Sequence, residues 1–413
     1  MKVLIVNTSD ISGGAARATY RLHRSLLTEG IDSLMLVQDK KSDDYTVLGP
    51  GTKLEKVISK IRPVLDQMPL KVYKHRIKTP FSPAWLPFSN VVKKVNNIDP
   101  DIVHLHWIAG GMLRIEDLEK IRKPIIWTLH DNWALTGGCH IKWDCENYFE
   151  KCGKCPLLKS SKEFDLSRLG SLRKERVYSK LKQLYIVSPS NWLADLVSKS
   201  SLLKDKYVKV LPNPIFTEIF KPIDKEFARK ILNLLKDKKL ILFSAINAIN
   251  DINKGFSQLV NALQNLKLKN IEIVILGSSK PKEVQNFGFP AHYLGHLYDD
   301  ISLVILYNAS DVTVVPSLQE NLSNTIMESL SCGTPAVAFD IGGNGDMVEH
   351  KRNGYLAKPF DPLDLANGIE WVLSAPNYDE ICQNAREKVL KEFDSRVVAK
   401  KYIELYKEVL NKK

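Results

Sequence analysis

The stretch Asp311–Asp340, DVTVVPSLQENLSNTIMESLSCGTPAVAFD, decides the fold class. Val312, Val314 and Val315 make an apolar run of strand length that Pro316 and Ser317 close. Ile326, Met327 and Leu330 then recur at helical spacing, Gly333 supplies a stop, Pro335 forbids continuation, and Ala336–Phe339 is β-prone again. Strand, loop, helix and strand in this order predict an α/β fold. The loop Leu318–Thr325 lies at the carboxyl end of a strand and the amino end of a helix, where free N–H groups and the helix dipole favour an anion such as a phosphate. Glu320 and Glu328 bracket it, and two carboxylates suit the hydroxyls of a sugar better than a phosphate.

Outward from that stretch, 413 residues are too many for one ordinary core, so two domains of roughly 200 residues are expected. With 44% hydrophobic and 26% charged residues the composition is that of a soluble globular protein. The start, MKVLIVNTSD, has an apolar run far shorter than a signal-peptide core and reads as a first buried strand. No stretch approaches the ~20 apolar residues of a membrane span. A cytoplasmic protein with its six cysteines reduced is therefore the expectation. A net charge of +12 favours anionic partners: phosphorylated substrates, acidic lipid surfaces or nucleic acid.

Lys2–Val6 reads as a strand, and Gly13-Gly14 opens a helix carrying Ala18, Leu22, Leu26 and Leu27. Those glycines permit close approach of a ligand to a helix N-terminus, or serve only a tight turn. Ser33–Gln38 completes a β-α-β unit. Lys53–Lys78 holds eight Lys or Arg against one Glu and one Asp, with apolar residues at helical spacing on either side of Pro69. It predicts two basic amphipathic helices, either lying on an anionic bilayer or packing their stripes on the core. Asp101–Trp107 and Pro124–Leu129 are buried strands, and the second delivers His130 to a strand end, where imidazole can position or polarise a substrate. His104 and His106 sit inside an apolar run and read as structural.

Cys139, Cys145, Cys152 and Cys155 follow within seventeen residues. They suit a closed, structural tetrahedral zinc site with His140 as a spare ligand; free thiols or a redox pair are the other readings. Val210–Pro222 carries three prolines and is the best boundary, after which the strand and helix rhythm restarts. Residues 1–212 are thus expected to form one Rossmann-like domain, with the basic segment 53–78 and the Cys-rich segment 139–155 inserted. Residues 213–392 form a second, and 393–413 a helix that returns to the first. Lys254 stands near a helix start in the second half, where an ammonium neutralises a diphosphate or is merely solvated.

These features together resemble a known family. PSLQE followed by Glu328, SLSCGTPAVAFDIGG, NGYLAKPFD, GGAA, TLHDNW, LPNPI and NKG resemble the retaining glycosyltransferases of family 4, in the GT-B fold of two Rossmann-like domains facing across a cleft. FSPAWLP and TGGCHIKWDC further resemble a branch found in bacterial capsular, colanic-acid-like and other exopolysaccharide gene clusters. The resemblance implies metal-independent transfer of a sugar, with retention, from a nucleotide-sugar such as a UDP- or GDP-sugar to a glycan or polyprenyl-linked acceptor; the basic segment 53–78, read as lying on an anionic bilayer, would put this at the inner face of the plasma membrane. The resemblance also implies that Glu328 holds the donor ribose and Glu320 the transferred sugar. The backbone of Asn321, Leu322, Ser323, Asn324 and Thr325 would meet sugar and phosphates, Lys254 the diphosphate, Gly13 and Gly14 the donor, and His130 the sugar. Two positions depart from the family pattern. FSAINAIND has no Arg ahead of Lys254, and Asn321-Leu322-Ser323 replaces Gly-Phe-Gly.

Rival readings are a catalytically inert nucleotide-sugar-binding relative, a sugar-nucleotide epimerase of the same fold, and a zinc-containing nucleic-acid-binding protein. The last leaves Glu320 and Glu328 without a role.

Overall fold

The computed structural model describes residues 1–244, 251–279, 286–297 and 299–412. The chain divides into two compact units, Met1–Asn213 with Val398–Lys413, and Pro214–Val397.

The first unit is built on a seven-stranded parallel sheet: β1 Lys2–Ser9, β2 Asp32–Asp39, β3 Val47–Leu48, β4 Ile102–Leu105, β5 Ile125–Thr128, β6 Leu184–Ser188 and β7 Tyr207–Val210, in spatial order β3-β2-β1-β4-β5-β6-β7. Alternation along β1 shows how the sheet is buried on both faces. Leu4 and Val6 enter one core with Val103, Leu105 and Trp127, while Val3 and Ile5 enter another with Leu22, Leu26 and Met35. The last helix, Ser395–Asn411, closes that second core through Tyr402, Leu405, Tyr406 and Val409.

The second unit repeats the plan with six parallel strands: β8 Lys239–Ser244, β9 Ile271–Leu276, β10 Ala291–Tyr293, β11 Val312–Val315, β12 Ala336–Phe339 and β13 Gly354–Ala357, ordered β10-β9-β8-β11-β12-β13. Leu240 and Leu242 of β8 face one core, Ile241 and Phe243 the other. The protein is thus α/β with two Rossmann-like parallel sheets. Each strand order reverses once, between β1 and β4 and between β8 and β11, and such reversals open a crevice at the carboxyl ends of the strands.

The basic segment 53–78 forms one helix where two were expected. Lys53–Asp66 is helical, with Thr52 as N-cap accepting from the Glu55 N–H, but after Gln67 the chain makes only the 3₁₀ turn Met68–Val72. Leu70 is buried, and Tyr73 and Ile77 pack beside it against Phe81 and Leu157. Tertiary packing has claimed the second stripe. The first stays out: Leu54, Val57, Ile58, Ile61 and Val64 are 43–69% exposed, and Asp66 is the helix's one buried residue. Among the described residues no helix is long and apolar enough to cross a membrane.

Candidate functional site

At the strand-order reversal of the second unit, the loop after β11 meets the segment Asp251–Gly255 that follows β8. Ser323 caps the helix Asn324–Ser331, its hydroxyl accepting from the Ile326 N–H, and the helix buries Ile326, Met327 and Leu330. The Leu318 N–H donates to the Asn253 carbonyl at 2.8 Å, and the Asn253 amide donates to the Gln319 carbonyl at 2.8 Å. Gly255 has φ +68°, and a Cβ there would lie 1.8 Å from the Pro316 carbonyl oxygen. Gly342, φ +56°, approaches the Glu320 carbonyl so closely that a Cβ would lie 1.7 Å from it. Three loops are therefore locked backbone to backbone.

This lock sets Lys254 against Glu320, Nζ to Oε2 at 3.1 Å, with side chains 28% and 19% exposed. The carboxylate is the chief cause of a raised Lys254 pKa, so the ammonium stays charged at any working pH. Glu328 is buried one helical turn in and accepts from the Tyr307 hydroxyl at 2.9 Å. Asn321, Asn324 and Thr325 are partly exposed, whereas the side chains of Leu322 and Ser323 are buried, which leaves their backbone as the part a ligand meets. The structure thus sets Lys254 against Glu320 beside the 321–325 loop, with Glu328 buried in the helix that follows. Residues 245–250, the segment without the family's arginine, lie outside the described residues. Sequence reasoning missed Asn253, Gly342 and Tyr307, whose roles arise only from contacts across the fold.

In the first unit Gly13 caps the helix Gly14–Thr28 at φ +95°, and the space where a Cβ would stand is open. His130 follows β5, its Nε2 2.9 Å from Nδ1 of His106. Burial lowers its pKa to about 4, so the ring is neutral at physiological pH. Asp131 accepts from the Trp107 indole at 2.8 Å and pairs with Nδ1 of His140 at 2.6 Å, while Nε2 of His140 lies 2.8 Å from the Ser82 hydroxyl.

That bonding engages both ring nitrogens of His140, so its reading as a spare metal ligand falls and a zinc ion would rest on the four cysteines alone. Cys139, Cys145, Cys152 and Cys155 line a single cavity of about 10 Å³. Yet among the described residues no three thiol, imidazole or carboxylate groups come together as a cation site. All four are free cysteines. Burial pushes the Cys139 and Cys155 thiols up and that of Cys152 up to about 11.

A parallel-sheet unit presenting a charged lysine, two carboxylates and a helix N-terminus at its strand-order reversal suits an anionic ligand that also carries hydroxyls. The glycosyltransferase family 4 model matches residues 12–219, and the glycosyl transferases group 1 model matches 224–389. The chain belongs to this glycosyltransferase family and has the GT-B fold. It is 25% identical over 410 residues to the putative colanic acid biosynthesis glycosyl transferase WcaC of Escherichia coli K12, covering 96% of this chain and 95% of that one. It is 26% identical over 236 residues to the N,N'-diacetylbacillosaminyl-diphospho-undecaprenol alpha-1,3-N-acetylgalactosaminyltransferase of Campylobacter jejuni, a match covering 55% of this chain and 61% of that protein. Among solved structures, Anabaena HepE in complex with UDP-glucose superposes with a TM-score of 0.65 at 16% identity, over 99% of this chain and 100% of that one.

Proposed function

We propose that the protein is a retaining glycosyltransferase that moves a sugar from a nucleotide-sugar to a hydroxyl of a glycan or polyprenyl-linked acceptor in bacterial surface polysaccharide synthesis. The observation that carries this is the Lys254–Glu320 pair beside the N-terminus of the helix that holds Glu328, at the carboxyl ends of β8 and β11. Glu328 holds the ribose hydroxyls, Glu320 the transferred sugar, and the N–H groups of 321–325 the phosphates. As the glycosidic bond breaks, negative charge moves onto the departing diphosphate. Lys254 and the helix dipole are placed to stabilise that charge more in the transition state than in the ground state, with no divalent cation required. The family resemblance assigns Gly13, Gly14 and His130 to the donor as well. The UDP-glucose bound by HepE and the undecaprenol-linked acceptor in the name of the Campylobacter relative support the two substrate classes.

A panel of UDP- and GDP-sugars read by thermal shift, followed by turnover with and without a glycan-lipid acceptor, tests this reading. A transferase consumes the donor productively only with acceptor present, whereas an epimerase changes it alone. If no nucleotide-sugar binds, or if Glu328→Ala turns over normally, the assignment fails.

The exposed stripe of Lys53–Asp66 supports a second element of the reading, a cytoplasmic enzyme held peripherally on the inner face of the membrane. Lys53, Lys56, Lys60, Lys71, Lys74 and Lys78 are all exposed, while Glu55 is tied to Lys94 at 3.1 Å and Asp66 is buried, so the segment meets solvent as apolar and cationic surface. Sedimentation with vesicles rich in phosphatidylglycerol should carry the protein down at low salt and release it at high salt. Equal behaviour with neutral phosphatidylcholine vesicles would eliminate this element.

A further inference from the structure

β4 and β5 end side by side and bring three imidazoles together. His104 is satisfied at both nitrogens, with Nδ1 2.7 Å from the Tyr406 hydroxyl and Nε2 2.8 Å from the Thr128 hydroxyl. His106, whose ring centroid lies 4.3 Å from that of His104, is 3% exposed. Its backbone is held by the Trp127 indole, which donates to the His106 carbonyl at 2.9 Å. Its ring stacks on His130 at 26°, with Nδ1 of His106 and Nε2 of His130 2.9 Å apart. Nε2 of His106 is buried with no hydrogen-bond partner among the described residues.

That orphan nitrogen decides where the shared proton sits. One of the two facing nitrogens must carry a hydrogen. If it were Nε2 of His130, the proton of neutral His106 would sit on its own Nε2, leaving a buried N–H with no acceptor, the rarer and costlier defect. With the hydrogen on Nδ1 of His106, only a lone pair faces the packing. His130 then accepts at Nε2 and carries its own proton on Nδ1, the edge of a partly exposed ring that makes no other hydrogen bond among the described residues.

We propose that His106 is a positioning residue that fixes His130 as the Nδ1–H tautomer, so that His130 meets the transferred sugar as a neutral hydrogen-bond donor and not as a general base. The proposal rests on the reading that His130 contacts that sugar. Burial holds both rings in the neutral form, and the Asp131 carboxylate that acts on His130 is already engaged by His140, Trp107 and the Trp133 N–H. A donor of this kind transfers no proton; it fixes the orientation of a hydroxyl oxygen while the leaving diphosphate departs elsewhere.

The test uses the full chain labelled with ¹⁵N-histidine and read by long-range ¹H–¹⁵N correlation without ligand, beside turnover of the nucleotide-sugar that gives the largest thermal shift. Wild-type His130 should show a protonated Nδ1 and a bare Nε2. His106→Phe, which lacks the donor, should let His130 change to the Nε2–H form and lower kcat about 10- to 100-fold. His106→Asn, whose amide N–H can stand where Nδ1–H stood, should keep the tautomer and stay within about fivefold. A wild-type His130 protonated at Nε2, or a His106→Phe variant with the tautomer unchanged, would overturn the positioning role. Wild-type turnover in His130→Ala would instead overturn the contact with sugar, whatever tautomer the spectra record.

Discussion

Lys254→Ala removes the one cation carried by residues 245–255 and 316–323, the loops that follow β8 and β11. Its Nζ lies 3.1 Å from Glu320, so two effects arise at once. The departing diphosphate loses a charge-assisted hydrogen bond, which contributes about 1.5–3 kcal/mol net. The Glu320 carboxylate is left without its counter-ion beside the phosphates, and that repulsion adds to the loss. At ~1.4 kcal/mol per decade the sum lowers kcat/KM by about 10²- to 10³-fold. Because the charge on the diphosphate grows as the bond breaks, most of the fall should appear in kcat and little in KM. Folding should hardly change, since a partly exposed pair of this kind contributes ~1 kcal/mol or less and shifts Tm by roughly 2–4 °C at most. Initial rates with the best-binding nucleotide-sugar and acceptor measure this directly. Lys254→Arg should retain most of the activity, and adding Glu320→Gln to Lys254→Ala should recover the part due to repulsion. Turnover within threefold of wild type in a folded Lys254→Ala protein, or a loss confined to KM, would refute the role given to the ammonium.

Three further outcomes are expected. Glu328→Gln keeps the shape but loses the charged acceptor of the Tyr307 hydroxyl and of the ribose, so donor affinity should fall about 10- to 100-fold by calorimetry, whereas Tyr307→Phe should cost only a few-fold. Gly255→Ala forces a Cβ to within 1.8 Å of the Pro316 carbonyl at a positive φ; chemical denaturation should show a loss of at least about 3 kcal/mol in the second unit. His23 is buried between the Ser33 and Thr46 hydroxyls, 2.8 Å from each, and burial lowers its pKa to about 4. The unfolded chain, near 6.5, takes up that proton first, so the contribution is complete above about pH 6.5 and is lost as pH falls towards 4, roughly 3 kcal/mol in all. Urea unfolding at pH 7 and pH 5 should show the decline, and His23→Gln should flatten it.

The strands were legible because parallel sheets buried on both faces need continuous apolar runs, and Leu240–Phe243, Ile271–Leu276 and Val312–Val315 are such runs. β7 was missed: Tyr207–Val210 is an edge strand with no buried residue, so its sequence lacks the apolar signal. The Lys53–Lys78 segment misled for the opposite reason. Both halves carry an amphipathic pattern, and only the fold decides that Leu70, Tyr73 and Ile77 turn inward while Leu54, Val57 and Ile61 do not. The cysteine spacing allowed a metal site with His140 in reserve, but spacing could not show that both nitrogens of His140 are already engaged. In the second unit, Glu320 and Glu328 were readable as carboxylates bracketing a helix N-terminus, and Lys254 as a cation near a helix start. The Lys254–Glu320 pairing was not, because it depends on contacts across the fold: the Asn253 carbonyl and amide against Leu318 and Gln319, and the Gly342 backbone against the Glu320 carbonyl.

The backbone lock among 251–255, 316–323 and 341–343 also bears on how this enzyme could be re-engineered. No one of those segments can be exchanged for a relative's version, lengthened or shortened without forcing the other two out of register, so a chimera that swaps the 316–323 loop alone should misfold locally before its chemistry can be judged. On the proposed donor role of residues 321–325, variation in donor choice falls on partly exposed side chains such as Asn321. A directed-evolution library for new sugars is best spent there, with Gly255 and Gly342 left untouched.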